Sequence, residues 1–293
     1  MNTTEKALSR PRRSVLYVPG ANARAIQKAK TVSADALIFD LEDAVAPEAK
    51  EEARENVRDA LSSGGYGDRE TVVRINDLSS VRGDVDLEMV RAVAPDAVLV
   101  PKVSSPEVIA TVSSRLPRET QLWIMVETAT AVLRIDAIAT TAAYTKLAAL
   151  VVGTNDLIKE CGYVIAGDRL PLVTALQTTV LAARAHGLHA LDGVFNDFSD
   201  EAGFNRECLE GRAFGFDGKT LIHPSQIPKA NRAFAPSAAD ISMAQAVVKA
   251  FDAPGNAGKG VIEVEGRMTE RLHLDSARAT IAIAKAIADR EKH

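Results

Sequence analysis

Short apolar runs alternate with stretches of helical spacing along most of the chain. The runs at 14–18, 36–40, 71–75, 97–101, 122–127, 147–152, 188–191 and 219–222 are continuous, not alternating. Parallel strands covered by helices read this way, whereas a half-solvated antiparallel strand is polar at every second position. About eight such runs, each followed by a helical stretch, predict an α/β fold, a TIM (β/α)8 barrel. The helix boundaries agree. Pro47 opens a helix that runs through Glu51, Ala53, Val57 and Leu61 to a stop at Gly64-Gly65. Pro106 opens a second at 107–116, and Pro171 opens a third at 172–185 that stops at Gly187.

After Ile222 the pattern changes. His223-Pro-Ser-Gln-Ile-Pro228 reads as a turn into a helix. An alanine-rich helix follows at 237–251, then a glycine-rich loop at 254–260, a short strand at 261–265 and a last helix at 272–290. The expected organisation is a catalytic barrel over 1–230 and a C-terminal helical extension over 231–293. The extension is read as a lid and oligomerisation arm, or as a helix that covers the barrel.

Composition narrows the function classes. A length of 293 residues suits two average domains or one barrel. The net charge of −4 gives no reason to expect nucleic acid, and the cluster Arg10, Arg12 and Arg13 is too short for a polyanion surface. Cys161 and Cys208 are outside any CxxC pattern, which argues against structural zinc or a disulfide framework. They read as two reduced thiols of a cytoplasmic protein. No apolar run approaches membrane-spanning length, and residues 1–10 lack a secretory apolar core and read as a frayed arm.

The candidate chemistry lies at the strand ends. Leu122-Trp-Ile-Met-Val-Glu127 is an apolar run that ends in a carboxylate, which is costly to bury without a positive partner. Leu147-Ala-Ala-Leu-Val-Val-Gly-Thr-Asn-Asp156 repeats the pattern one strand later. Two hard oxygen ligands at the same end of neighbouring strands suit Mg²⁺, with Mn²⁺ as a substitute. In a TIM barrel this end carries the chemistry. It also collects Tyr17, Asp40-Leu-Glu-Asp43, Arg74, Lys102, the loop 192–200 with Asp197, and His223. A cation on Glu127 and Asp156 can chelate a 2-oxo acid and stabilise an enolate, with Arg74 gripping a carboxylate and Asp43 steadying Arg74 or a metal-bound water. Lys102 could form a Schiff base, but a binding or ion-pairing role fits its neighbours better. His223 reads as a general base or a structural histidine.

Arg13-Ser-Val-Leu-Tyr-Val-Pro-Gly20, Phe39-Asp-Leu-Glu-Asp-Ala-Val-Ala-Pro47, Val73-Arg-Ile-Asn76, Val100-Pro-Lys102, Val126-Glu-Thr128, Gly153-Thr-Asn-Asp-Leu157, Asp192-Gly-Val-Phe-Asn-Asp-Phe-Ser-Asp200 and Ile222-His-Pro-Ser-Gln-Ile227 occur in that order. These blocks resemble the citrate lyase β-subunit-like proteins of the HpcH/HpaI aldolase family, which includes malyl-CoA and citramalyl-CoA lyases. The resemblance covers nearly the whole chain. It implies a Mg²⁺-dependent carbon–carbon lyase, a homotrimer or dimer of trimers. Such an enzyme cleaves or forms a 3-hydroxyacyl-CoA, giving acetyl-CoA and a 2-oxo acid such as glyoxylate or pyruvate. It further implies Glu127 and Asp156 as metal ligands, Arg74 and Asp43 in catalysis, and Arg13, Tyr17, Lys102 and Asp197 near the CoA thioester. Relatives of the malyl-CoA type carry an Asp in a C-terminal Met-x-Asp block that acts in a neighbouring subunit's site. Gly266-Arg-Met-Thr-Glu270 puts Glu270 there, one methylene longer. Many relatives have Arg or Lys soon after Pro-Gly, where this chain has Ala21-Asn22-Ala23-Arg24. Other readings are a class II aldolase acting on a free 4-hydroxy-2-oxo acid, hydrolysis of the thioester after condensation, and a non-catalytic CoA or acyl-carrier binding protein.

Overall fold

Eight strands form where the apolar runs predict them, in a computed structural model that describes residues 10–291. They are β1 (Ser14–Pro19), β2 (Ala36–Asp40), β3 (Glu70–Arg74), β4 (Ala97–Val100), β5 (Gln121–Val126), β6 (Leu147–Val152), β7 (His189–Asp192) and β8 (Gly218–Leu221). Each pairs in parallel with the next, and β8 closes on β1 through Ser14↔Lys219, Val15↔Thr220 and Leu16↔Leu221. The barrel expected from the sequence is therefore the barrel observed.

Along the strands, successive side chains face opposite sides. Inside, Val15, Ala36, Ile38, Val72, Ala97, Leu99, Trp123, Met125, Ala149, Val151 and Leu191 form one buried cluster. The alternate positions, among them Leu37, Phe39, Val98, Ile124 and Val152, pack outward in a second cluster shared with the helices. Both faces are dry, which is why the sequence runs are continuous.

The helices of this unit are α1 (Ala23–Ala29), α2 (Lys50–Ser63), α3 (Val81–Val93), α4 (Pro106–Arg115), α5 (Ala129–Leu133), α6 (Ile135–Thr140), α7 (Thr154–Cys161), α8 (Val173–Ala185), α9 (Glu201–Phe214) and α10 (Ile227–Phe234). Pro47 starts a short 3-10 turn that leads into α2, Pro171 is the second residue of one that leads into α8, and Pro106 opens α4 directly. A proline tolerates the first turn because its missing N–H would have no helical partner there. Helix α2 ends at Gly64, which takes φ 63°.

The barrel unit is Arg12–Phe234, and a second compact unit takes in the described residues from Ala235 onward. In the second unit α11 (Ala238–Asp252) and α12 (Arg271–Arg290) accompany β9 (Val261–Val264) and β10 (Arg267–Glu270). Ala244, Val247, Phe251, Ile262, Val264, Leu274 and Ala277 make its core. The sequence led us to expect one strand here, not a hairpin. Its turn is Glu265-Gly266, with φ of 49° and 75°. Both turn residues thus adopt the left-handed conformation that two-residue hairpins favour, but without the usual Asn-Gly or Asp-Gly signal. The proposed frayed arm lies largely outside the described residues. Among the described residues no helix is long and apolar enough to cross a membrane.

Candidate active site at the carboxyl ends of the strands

The inward period of two carries on past the apolar layers. One step beyond Ile38 is Asp40, beyond Val72 is Arg74, beyond Met125 is Glu127, and beyond Val15 is Tyr17. These four side chains close the barrel interior at its carboxyl end.

Arg74 is held on several sides. Its Nε and Nη2 donate to the two oxygens of Asp40 at 2.7 and 2.6 Å. Its Nη1 lies 2.9 Å from Glu42 Oε2 and 3.4 Å from Asp43 Oδ2. Its guanidinium carbon is 4.9 Å from the centre of the Tyr17 ring, a distance at which a ring face attracts a cation. Burial opposes the charge on Arg74, but Tyr17, Asp40 and Glu42 outweigh it and raise its pKa. Asp40 is fully committed, since it also accepts the backbone N–H groups of Glu42 and Ala44. The principal partner of Arg74 is thus Asp40, whereas Asp43 is a long, largely exposed contact.

Glu42 bridges the two cations of the rim, with Lys102 Nζ 3.2 Å from Oε1. Burial raises its pKa, tempered by Arg74. Lys50 Nζ donates to the carbonyls of Leu41 and Glu42 at 2.8 and 2.6 Å and pins the loop that carries these acids. The pKa of Lys102 is raised: burial pulls it down, but Glu42 more than offsets this. A Schiff-base lysine needs the opposite shift.

Glu127 is 1% exposed. Its Oε1 accepts the Lys102 backbone N–H at 2.7 Å, and its Oε2 has no hydrogen-bond partner. Desolvation pushes its carboxyl up to about 8, with the charges of Glu42 and Asp156 adding to the rise. Asp156 is half-buried in the first turn of α7. Among the described residues no group of three or more His, Cys, Asp or Glu side chains is arranged to hold a metal. The donors present are hard carboxylate oxygens, one of them orphaned and buried. That set fits a Mg²⁺ ion, which takes one or two carboxylates and keeps the remaining positions for water and substrate.

The structure does not bring every expected residue here. Arg13 is at the opposite end of β1, where its backbone N–H and its guanidinium bind Asp35 at 2.8 to 3.0 Å. It precedes the strand, and a residue there belongs to the amino end of the barrel, away from a thioester at the carboxyl end. Tyr17 is inside, with its hydroxyl 3.5 Å from Met125 Sδ. Asp197 sits in the exposed loop after β7 and accepts from the N–H groups of Ser199 and Asp200. Glu270 is exposed at the N-cap of α12, in the second unit. His223 acts as a cap: its Nδ1 is 2.7 Å from Ser225 Oγ, and its ring stacks on Phe198 at 4.8 Å. Asp192 is fully buried and is taken up by Arg169 and Lys219.

The sequence reading singled out neither Asp40 nor Glu42, although both lie in its Asp-Leu-Glu-Asp block. Inward parity would have found Asp40. A further buried arginine, Arg12, fills the amino end of the barrel. Arg12 pairs with Glu70 at 2.7 Å and with Gln121 at 2.8 Å, and lies 4.9 Å from the Trp123 ring centre.

A closed parallel barrel whose dry interior opens onto carboxylates, an arginine and a lysine at one rim is the architecture of TIM-barrel enzymes, which work at that end. The chain belongs to the HpcH/HpaI aldolase/citrate lyase family, whose profile matches residues 13–224. It is 46% identical over 278 residues to a (3S)-malyl-CoA thioesterase of Cereibacter sphaeroides, covering 95% of this chain and 96% of that one. It is 34% identical to the mitochondrial citramalyl-CoA lyase of Homo sapiens, covering 96% of this chain and 87% of that one. The crystal structure of CitE from Mycobacterium tuberculosis, in complex with magnesium, acetoacetate and coenzyme A, superposes with a TM-score of 0.75 at 30% identity. That match covers 95% of this chain and 99% of the other.

Proposed function

We propose that this protein is a Mg²⁺-dependent carbon–carbon lyase that cleaves or forms a 3-hydroxyacyl-CoA of the malyl-CoA or citramalyl-CoA type. The products of cleavage are acetyl-CoA and a 2-oxo acid. The observation that carries this reading is the unpartnered Oε2 of Glu127, which is buried, feels the charge of Asp156 and shares a rim with Arg74. Among the similar proteins, one is named a citramalyl-CoA lyase and one is described with magnesium and coenzyme A.

Glu127 and Asp156 would hold the cation, which when bound supplies Lewis acidity toward a carbonyl oxygen. The other roles fall to the chain itself. Arg74 has five N–H donors, and its contacts with Asp40, Glu42 and Asp43 take four of them, leaving one N–H on Nη2 to meet a substrate carboxylate. Asp40 fixes the plane of that fork, so the grip needs no reorganisation on binding. Tyr17 and Lys102 would contact the acyl or CoA portion, and Asp197 would border the loop that admits it. Asp43, largely exposed, would hold a water at the rim. Glu270 would move the proton from a second protomer of a homotrimer or dimer of trimers.

Purified protein given acetyl-CoA and either glyoxylate or pyruvate should condense them in the presence of Mg²⁺ and lose this activity in EDTA. Turnover that survives EDTA undiminished would overturn the proposal. Hydrolysis is a second reading, favoured by the name of the 46% identical relative. With malyl-CoA as substrate, a lyase releases glyoxylate and acetyl-CoA, whereas a thioesterase releases free thiol and malate. Thiol and glyoxylate assays run in parallel separate the two.

A further inference from the structure

The two oxygens of Glu127 have different surroundings, and two neighbours that use no side-chain chemistry create the difference. Oε1 accepts the Lys102 N–H at 2.7 Å, whereas Oε2 is buried and without a partner. The amide reaches Oε1 from a backbone with φ 54° at Lys102. This left-handed conformation is unfavourable for a lysine and persists only where its surroundings hold it. The Lys102 side chain goes elsewhere, to Glu42.

Gly153 follows β6 directly, as the N-cap of α7, and lies against Glu127. Its φ of −97° is open to any residue, so the need for glycine there is one of space. A Cβ at this position would lie 2.5 Å from Glu127 Cβ, 2.6 Å from Glu127 Oε2 and 2.9 Å from Met125 Cε. Real side chains do not approach so closely, and the atoms it would strike are buried.

We infer that Lys102, through its main-chain N–H, and Gly153, through its missing Cβ, are positioning residues that set the orientation of Glu127. They commit Oε1 to the protein and leave Oε2 for the divalent cation. This rests on the metal reading given above.

The test is cation affinity, read as a dissociation constant by calorimetry with Mg²⁺ or by the electron spin resonance of free Mn²⁺. Gly153→Ala is expected to bind at least tenfold more weakly than the unaltered protein. Lys102→Gly and Lys102→Val both remove the ammonium, but only glycine takes the left-handed conformation freely. The valine variant should therefore bind at least tenfold more weakly than the glycine variant. If Gly153→Ala does not fold, the Lys102 pair decides alone. Equal affinities within that pair, with Asp156→Asn still weakening the cation, would overturn the positioning roles and leave the metal site standing. An unaltered protein that binds neither cation would remove both.

Discussion

Asp40 is the side chain on which the rim most depends, and it is also the least conspicuous. It is fully buried, and both of its oxygens are committed to Arg74 and to backbone N–H groups. Breaking a buried pair by removing one partner costs more than the pair contributes, because the other charge is left uncompensated. Asp40→Ala is therefore expected to lower the free energy of unfolding by about 3–5 kcal/mol, read by urea titration. Arg74 should also lose its fixed plane, so the same variant should show reduced kcat even where it remains folded. Cys208 shows what burial alone does: its thiol, fully buried, is pushed up to about 12, chiefly by desolvation. Cys208 is accordingly expected to stay unmodified by iodoacetamide at pH 8 in the native protein, with mass spectrometry as the readout.

Where β7, β8 and α8 meet, Asp217 ties three elements together. It accepts the Ala190 N–H and pairs with Arg184 of α8 at 2.9 Å, and its Oδ2 lies 3.5 Å from His189 Nδ1. Burial pushes its carboxyl up, but His189 and Arg184 more than offset this, and its pKa falls to about 2. A carboxyl whose folded pKa lies below its unfolded value stabilises above the unfolded pKa and loses that contribution as the pH falls. The window here runs from about pH 4 down to about pH 2, and the contribution is of order 2 kcal/mol. Asp217→Asn should be less stable at pH 7 and should show a flatter decline between those limits. A Tm series across that range for both proteins checks it, and parallel curves would refute the assignment. The barrel seam beside it has no spare room. A Cβ on Gly218 would lie 1.8 Å from the Arg12 carbonyl oxygen, so β8 can close on β1 only with glycine there.

For the molecule as a whole, a cation that binds only the folded state must stabilise it by mass action. At a hundredfold excess over its dissociation constant Mg²⁺ should add about 2.7 kcal/mol, seen as a rise in Tm. Glu127→Gln and Asp156→Asn should abolish that rise. The proposed role of Glu270 has its own signature. If one protomer supplies Glu270 to the site of another, co-expressed Glu127→Gln and Glu270→Gln chains should recover part of the activity that each lacks alone. Recovery no greater than the sum of the two separate preparations would show that every site is built from a single chain.

The barrel was legible because its cause is local and repeated. Each strand is dry on both faces, several helices have a proline or glycine boundary, among them α2, α4, α7 and α9, and these patterns need no distant partner to be recognised. Glu127 and Asp156, the proposed metal ligands, stand out in the sequence for a related reason, since an acid at or just past the end of an apolar run is conspicuous within a few residues. The pairing inside the rim was not. Whether Asp40 or Asp43 holds Arg74, and whether Arg13 faces the rim or the floor, depends on the parity and direction of strands far apart in sequence. The Glu265-Gly266 hairpin escaped because its turn residues are not the ones that advertise a left-handed pair. The left-handed backbone at Lys102 and the clearance at Gly153 arise only when β4, β5 and β6 lie side by side. Local periodicity fixes which elements form and which of their ends meet, and three-dimensional contact alone decides which oxygen remains without a partner.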